Sequence, residues 1–424
     1  MSAARIDYRE LVRDDRIHGR LYYDEEIFRE EMERIFSRVW VYVGHESEVA
    51  EPGEFVTRWI GSQPVILVRD NRRSLNLLLN RCRHRGNTIC QIEKGNAGGG
   101  FRCAYHGWTY ANNGDLVGVT YGAGADPRDF RKEDYGLNRV ALESYKGFLF
   151  GNLNPNGTSL ESQLGRSIRL IDQILDQSPT GEVTVRGGAL KHMYRANWKM
   201  AVENVVDSYH PLFLHSSTFK MIDSAGKFDW DSIYGPGGNA RVRDLGNGHA
   251  QIDFSAQNRK AGSFLHSPIS ATARKDYVEG LAARIGRERA SDILADGDPH
   301  FEIFPNFNYL PPGEIRIIRP VGVAETHIYY FPVLFKGAPD EINLERHQQV
   351  CLLHGSAGVI APDDIDVYER NQEGFRARAD EWLILNRGIR SEVREEDGAI
   401  VGMAYEETTQ RGIWREYRDL MTRA

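Results

Sequence analysis

Residues 81–110 read RCRHRGNTICQIEKGNAGGGFRCAYHGWTY. The stretch holds two Cys/His couples, Cys82-x-His84 and Cys103-x2-His106, with Gly98-Gly99-Gly100 between them. An extended chain points residues i and i+2 the same way, so Cys82 and His84 can reach one site together. Phe101 to Tyr105 reads as a strand running into a loop tip, which delivers the second couple. Two hairpin tips then each offer one thiolate and one imidazole.

That mixed donor set matches a Rieske [2Fe–2S] centre, where two Cys bind one iron and two His the other, raising the potential above that of all-Cys clusters. A zinc site with two Cys and two His normally pairs Cys with Cys and His with His. Unliganded core residues are the third reading. The mixed couples and the following Gly107-Trp108 favour the cluster. Cys90, between the couples, is expected to be a small buried hydrophobe.

Outward from this stretch, 424 residues exceed one compact core, so two domains are expected. Lys+Arg 53 against Asp+Glu 60 leaves −7, with no basic block to track phosphates, which argues against nucleic acid. The cysteines are Cys82, Cys90, Cys103 and Cys351; two are taken by the cluster, and a disulfide framework is not expected in a chain of this size. No apolar run approaches the ~20 residues of a membrane span. MSAARIDYRE carries charges where a signal peptide needs its apolar core, so a cytoplasmic protein is expected.

In chain order, residues 24–40 read as an amphipathic helix capped by Asp24, with Phe28, Met32, Ile35 and Phe36 on one face. Residues 40–155 then read as a small β domain of short runs at 55–60, 64–68, 75–79, 101–105, 108–110, 116–120 and 148–153. Asn113-Gly114 is its hairpin signal. A capping box at Thr158-Ser159-Leu160-Glu161 opens a helix with Leu160, Leu164, Ile168, Ile171 and Leu175 at helical spacing. A strand-like run at 182–195 and a helix at 197–209 follow, then an irregular stretch from 215 to about 260 that reads as a lid. Strands at 301–310, 314–321 and 327–335 and helices at 341–354, 362–380 and 408–421 complete an α+β arrangement, an antiparallel sheet with helices packed against it.

A second informative stretch is 203–215, ENVVDSYHPLFLH. A five-residue step places His210 and His215 on different faces of a regular helix. Pro211 disfavours α conformation at His210, and a break there lets His215 swing back to the same site. Two imidazoles and one carboxylate make the facial triad of non-haem Fe(II) oxygenases. Ordinary packing is the competing reading of a lone His-x4-His. Lys199, Glu203 and Asp207 stack at i, i+4, i+8, either as a solvated face or with Asp207 as an outer carboxylate orienting His210. The third ligand is sought in Ala361-Pro362-Asp363-Asp364-Ile365-Asp366, at the N-terminus of a helix. The residues alone do not choose among the three acids, which can equally be capping.

Together these motifs resemble the large (α) subunit of Rieske non-haem iron aromatic-ring-hydroxylating oxygenases, from about Arg38 to the C-terminal helix. The resemblance implies a helical segment at 1–39, a Rieske domain at 40–155, and a helix-grip catalytic domain at 156–424. It places the cluster on Cys82, His84, Cys103 and His106, and the mononuclear Fe(II) on His210, His215 and Asp364, with Asp363 as runner-up and Gln372 as the matching Gln. Asp207 falls on the aspartate that links an iron histidine to a cluster histidine of the neighbouring subunit. Asp207 follows Glu203-Asn204 with two residues between, one fewer than in naphthalene-type enzymes. That spacing and GFLFGNLNPNGTSLESQL and APDDIDVYERNQEGF look like the benzoate, toluate and anthranilate branch, with salicylate hydroxylases and terephthalate dioxygenases close.

The implied activity is O2-dependent hydroxylation of an aromatic carboxylate, with electrons from an NAD(P)H-dependent reductase, with or without a ferredoxin. The implied assembly is a homotrimer or an α3β3 complex with a small β subunit. No Arg or Lys stands out as a carboxylate clamp. Val206, Leu214, Phe219 and Phe304 are pocket candidates that serve equally as core. The competing functions are a Rieske electron carrier or ligand-binding protein without oxygen chemistry, and a zinc-stabilised interaction protein.

Overall fold

The computed structural model describes residues 6–121, 130–154, 156–222, 235, 238–261 and 269–423, the side chains of 222, 260 and 261 excepted. The chain forms two compact units, Phe36–Leu160, and Met1–Ile35 together with Glu161–Ala424.

The first unit is built from three small antiparallel sheets. Leu75–Leu79, Gln63–Arg69, Glu54–Ile60 and Lys94–Asn96 lie side by side in that order. Gly100–Arg102, Thr109–Ala111 and Leu116–Gly118 form the second sheet, which carries the second cluster loop. Ala141–Tyr145, Phe148–Asn152 and Val41–His45 form the third. Asn113-Gly114 makes the expected turn, with Gly114 at φ +92°, where a left-handed backbone favours glycine. Phe55, Ile66, Val68, Leu78, Phe101, Tyr110 and Leu116 pack with Cys82, Cys90 and Cys103 in one core. Cys90 is buried among them, and burial pushes its thiol up to about 12, as a small core hydrophobe requires.

The second unit is organised on a nine-stranded antiparallel sheet. Its order is Leu190–Tyr194, Glu325–Pro332, Glu314–Gly322, Phe307–Leu310, His300–Ile303, His249–Asp253, Arg241–Gly246, Ile400–Met403 and Val393–Arg394. The helices Lys199–Val205, Asp340–His354, Ala361–Gly374 and Thr408–Thr422 pack with it. In the last, Ile413, Trp414, Tyr417, Leu420 and Met421 recur at helical spacing and are buried. The α+β class with antiparallel sheets holds throughout. No helix among the described residues is long and apolar enough to cross a membrane.

Several local expectations change. Asp24 does cap a helix, accepting from the amides of Glu26 and Ile27, but the α-helix is only Glu25–Glu31 and passes into a π turn at Met32–Phe36. Its buried side includes Ile27 and Glu31 rather than Phe28, because a buried ion pair pulls Glu31 inward. The helix after 158 starts at Leu160 and is interrupted by a 3-10 turn at Gly165–Ser167. The run 301–310 is a hairpin, His300–Ile303 and Phe307–Leu310, not one strand. The proposed lid is in part regular structure. Residues 216–222 are helical, and Arg241–Gly246 and His249–Asp253 are central strands paired through Val242 and Ile252. Positions 223–234, 236–237 and 262–268 lie outside the described residues.

Candidate functional site

Two loops of the first unit share one backbone device. The Gly86 amide donates to the Cys82 carbonyl (2.9 Å), and the Gly107 amide to the Cys103 carbonyl (3.0 Å). Gly86 and Gly107 sit at φ +74° and +72°, so each closes a tight turn that a side chain would strain. The turns bury both sulfurs and leave His84 exposed and His106 half-buried at the tips. The two imidazole centroids are 4.6 Å apart, and Trp108 stacks on His84 at 4.9 Å. The Tyr110 hydroxyl lies 3.3 Å from the Cys82 sulfur, and the Asn87 amide donates to Cys103 at 3.6 Å. Burial raises the Cys103 thiol, but the amides of Tyr105 and His106, with Cys82 and Asn87, outweigh it and favour the thiolate. Two sulfurs inside and two imidazoles outside, all converging, fit the donor set that would hold a [2Fe–2S] cluster.

The second unit brings together residues 149 positions apart. His210, His215 and Asp364 offer ligand atoms all within 4.8 Å of one another. Asp364 Oδ1 is 3.2 Å from His215 Nε2 and 3.7 Å from His210 Nε2. Adjacent donors about 2.1 Å from a common ion stand about 3 Å apart, so this set fits a divalent metal. Asn204 completes the group, its Nδ2 3.2 Å from Asp364 Oδ1 and 3.3 Å from His210 Nε2. Sequence reading used Asn204 only as a spacing mark, and nothing in its surroundings marks it as a site residue.

Each imidazole has a carboxylate behind it. Asp363 Oδ2 is 3.3 Å from His215 Nδ1, and Asp207 Oδ1 is 3.5 Å from His210 Nδ1, a buried nitrogen with no hydrogen bond of its own. Burial works against a charged His215, but Asp364 and Asp363 outweigh it and raise its affinity for a proton or another cation. The three acids of 363–366 take different places. Asp364 is buried against the histidines, Asp363 stands behind His215, and Asp366 is exposed and pairs with Arg370 at 2.7 Å.

Proline does not break the chain where expected. His210 is right-handed helical (φ −57°, ψ −33°) and opens the short helix Pro211–Leu214, with Pro211 in its first turn. The preceding helix stops five residues earlier, at Val205, where Val206 turns out at φ −115° and ψ 16°. Asp207 then accepts from the amides of Tyr209 and His210 (3.1 and 3.2 Å), which fixes the connecting turn. His215 ends the short helix and returns to the site. Asp207 is therefore off the helix and not stacked on Glu203. Nor are Lys199 and Glu203 a solvated face. Lys199 is buried against Glu31 at 2.5 Å, and Glu203 accepts from the Tyr22 hydroxyl.

Gln372 ties two segments to its helix, accepting from the Asn197 amide and donating to the Tyr22 carbonyl. Of the four pocket candidates, Leu214 lines an open cleft of about 660 Å³ shared with Asp207 and His210. Val206 and Phe304 are core. The Val206 carbonyl accepts from Thr409, and Phe304 packs on Trp198. Phe219 is half-buried on the Ser216–Ile222 helix.

Residues 182–422 match the family described as ring hydroxylating alpha subunit (catalytic domain), and residues 39–126 match the Rieske [2Fe-2S] domain. The chain is 32% identical to the anthranilate 1,2-dioxygenase large subunit of Acinetobacter baylyi, over 90% of this chain and 82% of that one. It is 30% identical to the 2-halobenzoate 1,2-dioxygenase large subunit of Burkholderia cepacia, over 91% and 84%. The crystal structure of naphthalene 1,2-dioxygenase from Rhodococcus sp., bound to indole, superposes with a TM-score of 0.81 at 28% identity, covering 96% and 94%. Two converging donor sets, one of a Rieske cluster and one of a mononuclear iron, together with these matches, make the chain a member of the ring-hydroxylating oxygenase α-subunit family, a Rieske non-haem iron enzyme.

Proposed function

We propose that this terminal oxygenase hydroxylates the ring of an aromatic carboxylate of the benzoate, salicylate, anthranilate or terephthalate type. The observation that carries the substrate class is likeness over most of the chain to large subunits named for anthranilate and 2-halobenzoate. Biphenyl and benzene enzymes match at 28–30% identity, and the assay separates acids from these hydrocarbons.

In this reading Cys82, His84, Cys103 and His106 hold the cluster, and His210, His215 and Asp364 hold the iron. The bound iron supplies O2 activation, with electrons arriving from an NAD(P)H-dependent reductase, directly or through a ferredoxin. Asn204 and His215 fix the Asp364 carboxylate, Asp363 orients His215, and Asp207 orients His210. Asp207 is also the link to a cluster histidine of a neighbouring chain. Its side chain keeps 24% of its surface open, on the wall of the cleft beside His210, which supports access from outside. The working unit is then a homotrimer or an α3β3 assembly, with residues 40–155 as the cluster domain, 156–424 as the catalytic domain and 1–39 packed on the latter.

The test supplies a reductase and NADH and scores product mass on benzoate, salicylate, anthranilate and terephthalate beside benzene and biphenyl. Oxygen incorporation into at least one acid, at higher kcat/KM than into either hydrocarbon, is expected. Hydroxylation of the hydrocarbons alone removes the carboxylate reading.

A further inference from the structure

The nine-stranded sheet carries a row of polar side chains that neither the metal ligands nor the cluster uses. Glu302 pairs in register with Asn308, Asn308 with Arg316, and Arg316 with Tyr330. Directly paired residues share one face of a sheet, with strands about 4.8 Å apart, so these four side chains stand side by side. Their burial is nearly complete: Glu302 and Asn308 are 0% exposed and Arg316 4%.

This face lies under the metal residues. His300, two positions before Glu302 and so on the same side, has Nε2 2.6 Å from the Val205 carbonyl, at the end of the helix that bears Asn204. The charge of Arg316 is felt at Asp364 and at His300.

Buried polar atoms are nearly always hydrogen-bonded, so exceptions mark either a cost or a use. Both carboxyl oxygens of Glu302 and both amide atoms of Asn308 lack a partner. Arg316 is held at one edge only. Its Nε donates to Glu314 Oε1 at 2.6 Å, and its carbon centre lies 5.0 Å from the Tyr330 ring. Glu314 is itself held on the far side, with Oε2 2.8 Å from His354 Nδ1. The two terminal nitrogens of Arg316 make no hydrogen bond to any described residue. A guanidinium held over an aromatic ring, with its fork free, has the donors that take a carboxylate by two parallel bonds.

We propose that Arg316, with the Asn308 amide beside it, anchors the carboxylate of the aromatic substrate and so determines specificity for acids. The inference rests on the aromatic-acid reading above and deepens it. Glu302 does not oppose it. It stands at the far end of the row, with Asn308 between it and Arg316, and burial, then the nearby Glu203 charge, pushes its carboxyl well above the ordinary range, which favours the neutral form. Glu314 does not saturate Arg316 either, since it occupies Nε and leaves the terminal pair.

The test is calorimetric binding to the iron- and cluster-loaded oxygenase without reductase, so that no turnover intervenes. Benzoate, salicylate, anthranilate and terephthalate are each compared with the corresponding primary amide, which matches the acid in size and lacks its charge. Wild-type protein is expected to prefer at least one acid. In Arg316→Gln that acid should bind on the order of 100-fold more weakly, with amide affinity and iron content unchanged. Arg316→Lys should restore part of the preference, and Asn308→Leu should weaken the acid by about tenfold and leave the amide alone. An acid preference that survives in Arg316→Gln overturns the anchor and leaves the aromatic-acid reading standing. Wild-type protein that binds benzene or biphenyl but none of the acids overturns both. Loss of iron from both Arg316 variants assigns the residue to holding Asp364 and overturns the anchor.

Discussion

Glu31→Gln gives the most demanding test of how the iron site is supported. Glu31 is 0% exposed and accepts three hydrogen bonds: from Lys199 Nζ at 2.5 Å, the Tyr417 hydroxyl at 2.7 Å and Trp198 Nε1 at 2.8 Å. Lys199 Nζ also lies over the rings of Trp198, Tyr22 and Tyr417, between 5.2 and 5.8 Å from their centroids. Gln keeps the volume, removes the counter-charge, and turns one acceptor into a donor facing donors. Breaking one side of a buried pair costs about 3–5 kcal/mol because the other charge stays buried. At about 2 °C per kcal/mol for a unit of this size, the melting temperature should fall by about 6–10 °C. Lys199 opens the helix that carries Asn204, so bound iron should fall with it. Scanning calorimetry and iron analysis read both effects. Adding Lys199→Met to Glu31→Gln removes the stranded charge and should raise the melting temperature above that of Glu31→Gln alone. A fall of under about 2 °C, or a Lys199→Met effect equal in both backgrounds, refutes the idea that this pair is held by mutual compensation.

Asp207→Ala should keep both metals, read by iron and sulfide analysis, and lose nearly all turnover; loss of either metal reassigns Asp207 to holding the turn through the Tyr209 and His210 amides. His249 accepts from the Phe304 amide and faces the Gln163 carbonyl, and burial lowers its affinity for a proton to about 4. The unfolded chain binds that proton near 6.5, so this stability is full above 6.5 and lost as pH falls toward 4, about 2 kcal/mol of it by pH 5; His249→Asn should melt with a flatter pH dependence over that window. Cys90→Ala should retain the reduced-state Rieske EPR signal at full intensity, since Cys90 packs in the core and is not one of the four converging donors. Gly107→Ala places a Cβ at φ +72° and 2.3 Å from Thr120 Oγ1, and should cost about 1–2 kcal/mol and reduce cluster occupancy, measured by sulfide content.

The cluster could be read from sequence because its geometry is local. Each loop is a five-residue turn closed by its own glycine, so Cys82, His84, Cys103 and His106 carry their arrangement in their spacing. The hairpin at Asn113-Gly114, the N-cap at Asp24 and the apolar side of the last helix are legible for the same reason. The pair His210 and His215 was visible, but its cause was not. Proline sits comfortably in a first turn, and the helix had already ended at Val205, where the Asp207 side chain captures the next amides.

The residue pattern by itself leaves Asp363 and Asp364 open, and the tertiary structure separates them. Neighbours on a helix point about 100° apart, so the docking of Ala361–Gly374 turns one acid to the metal residues and its neighbour to the back of His215. The same holds for Glu31 with Lys199, and for the row from Glu302 to Arg316. Charged side chains read as surface until packing buries them, and the partners that make burial affordable come from distant segments. Spacing along the chain determines what a turn can hold, whereas the phase and register of docked elements decide which charges meet.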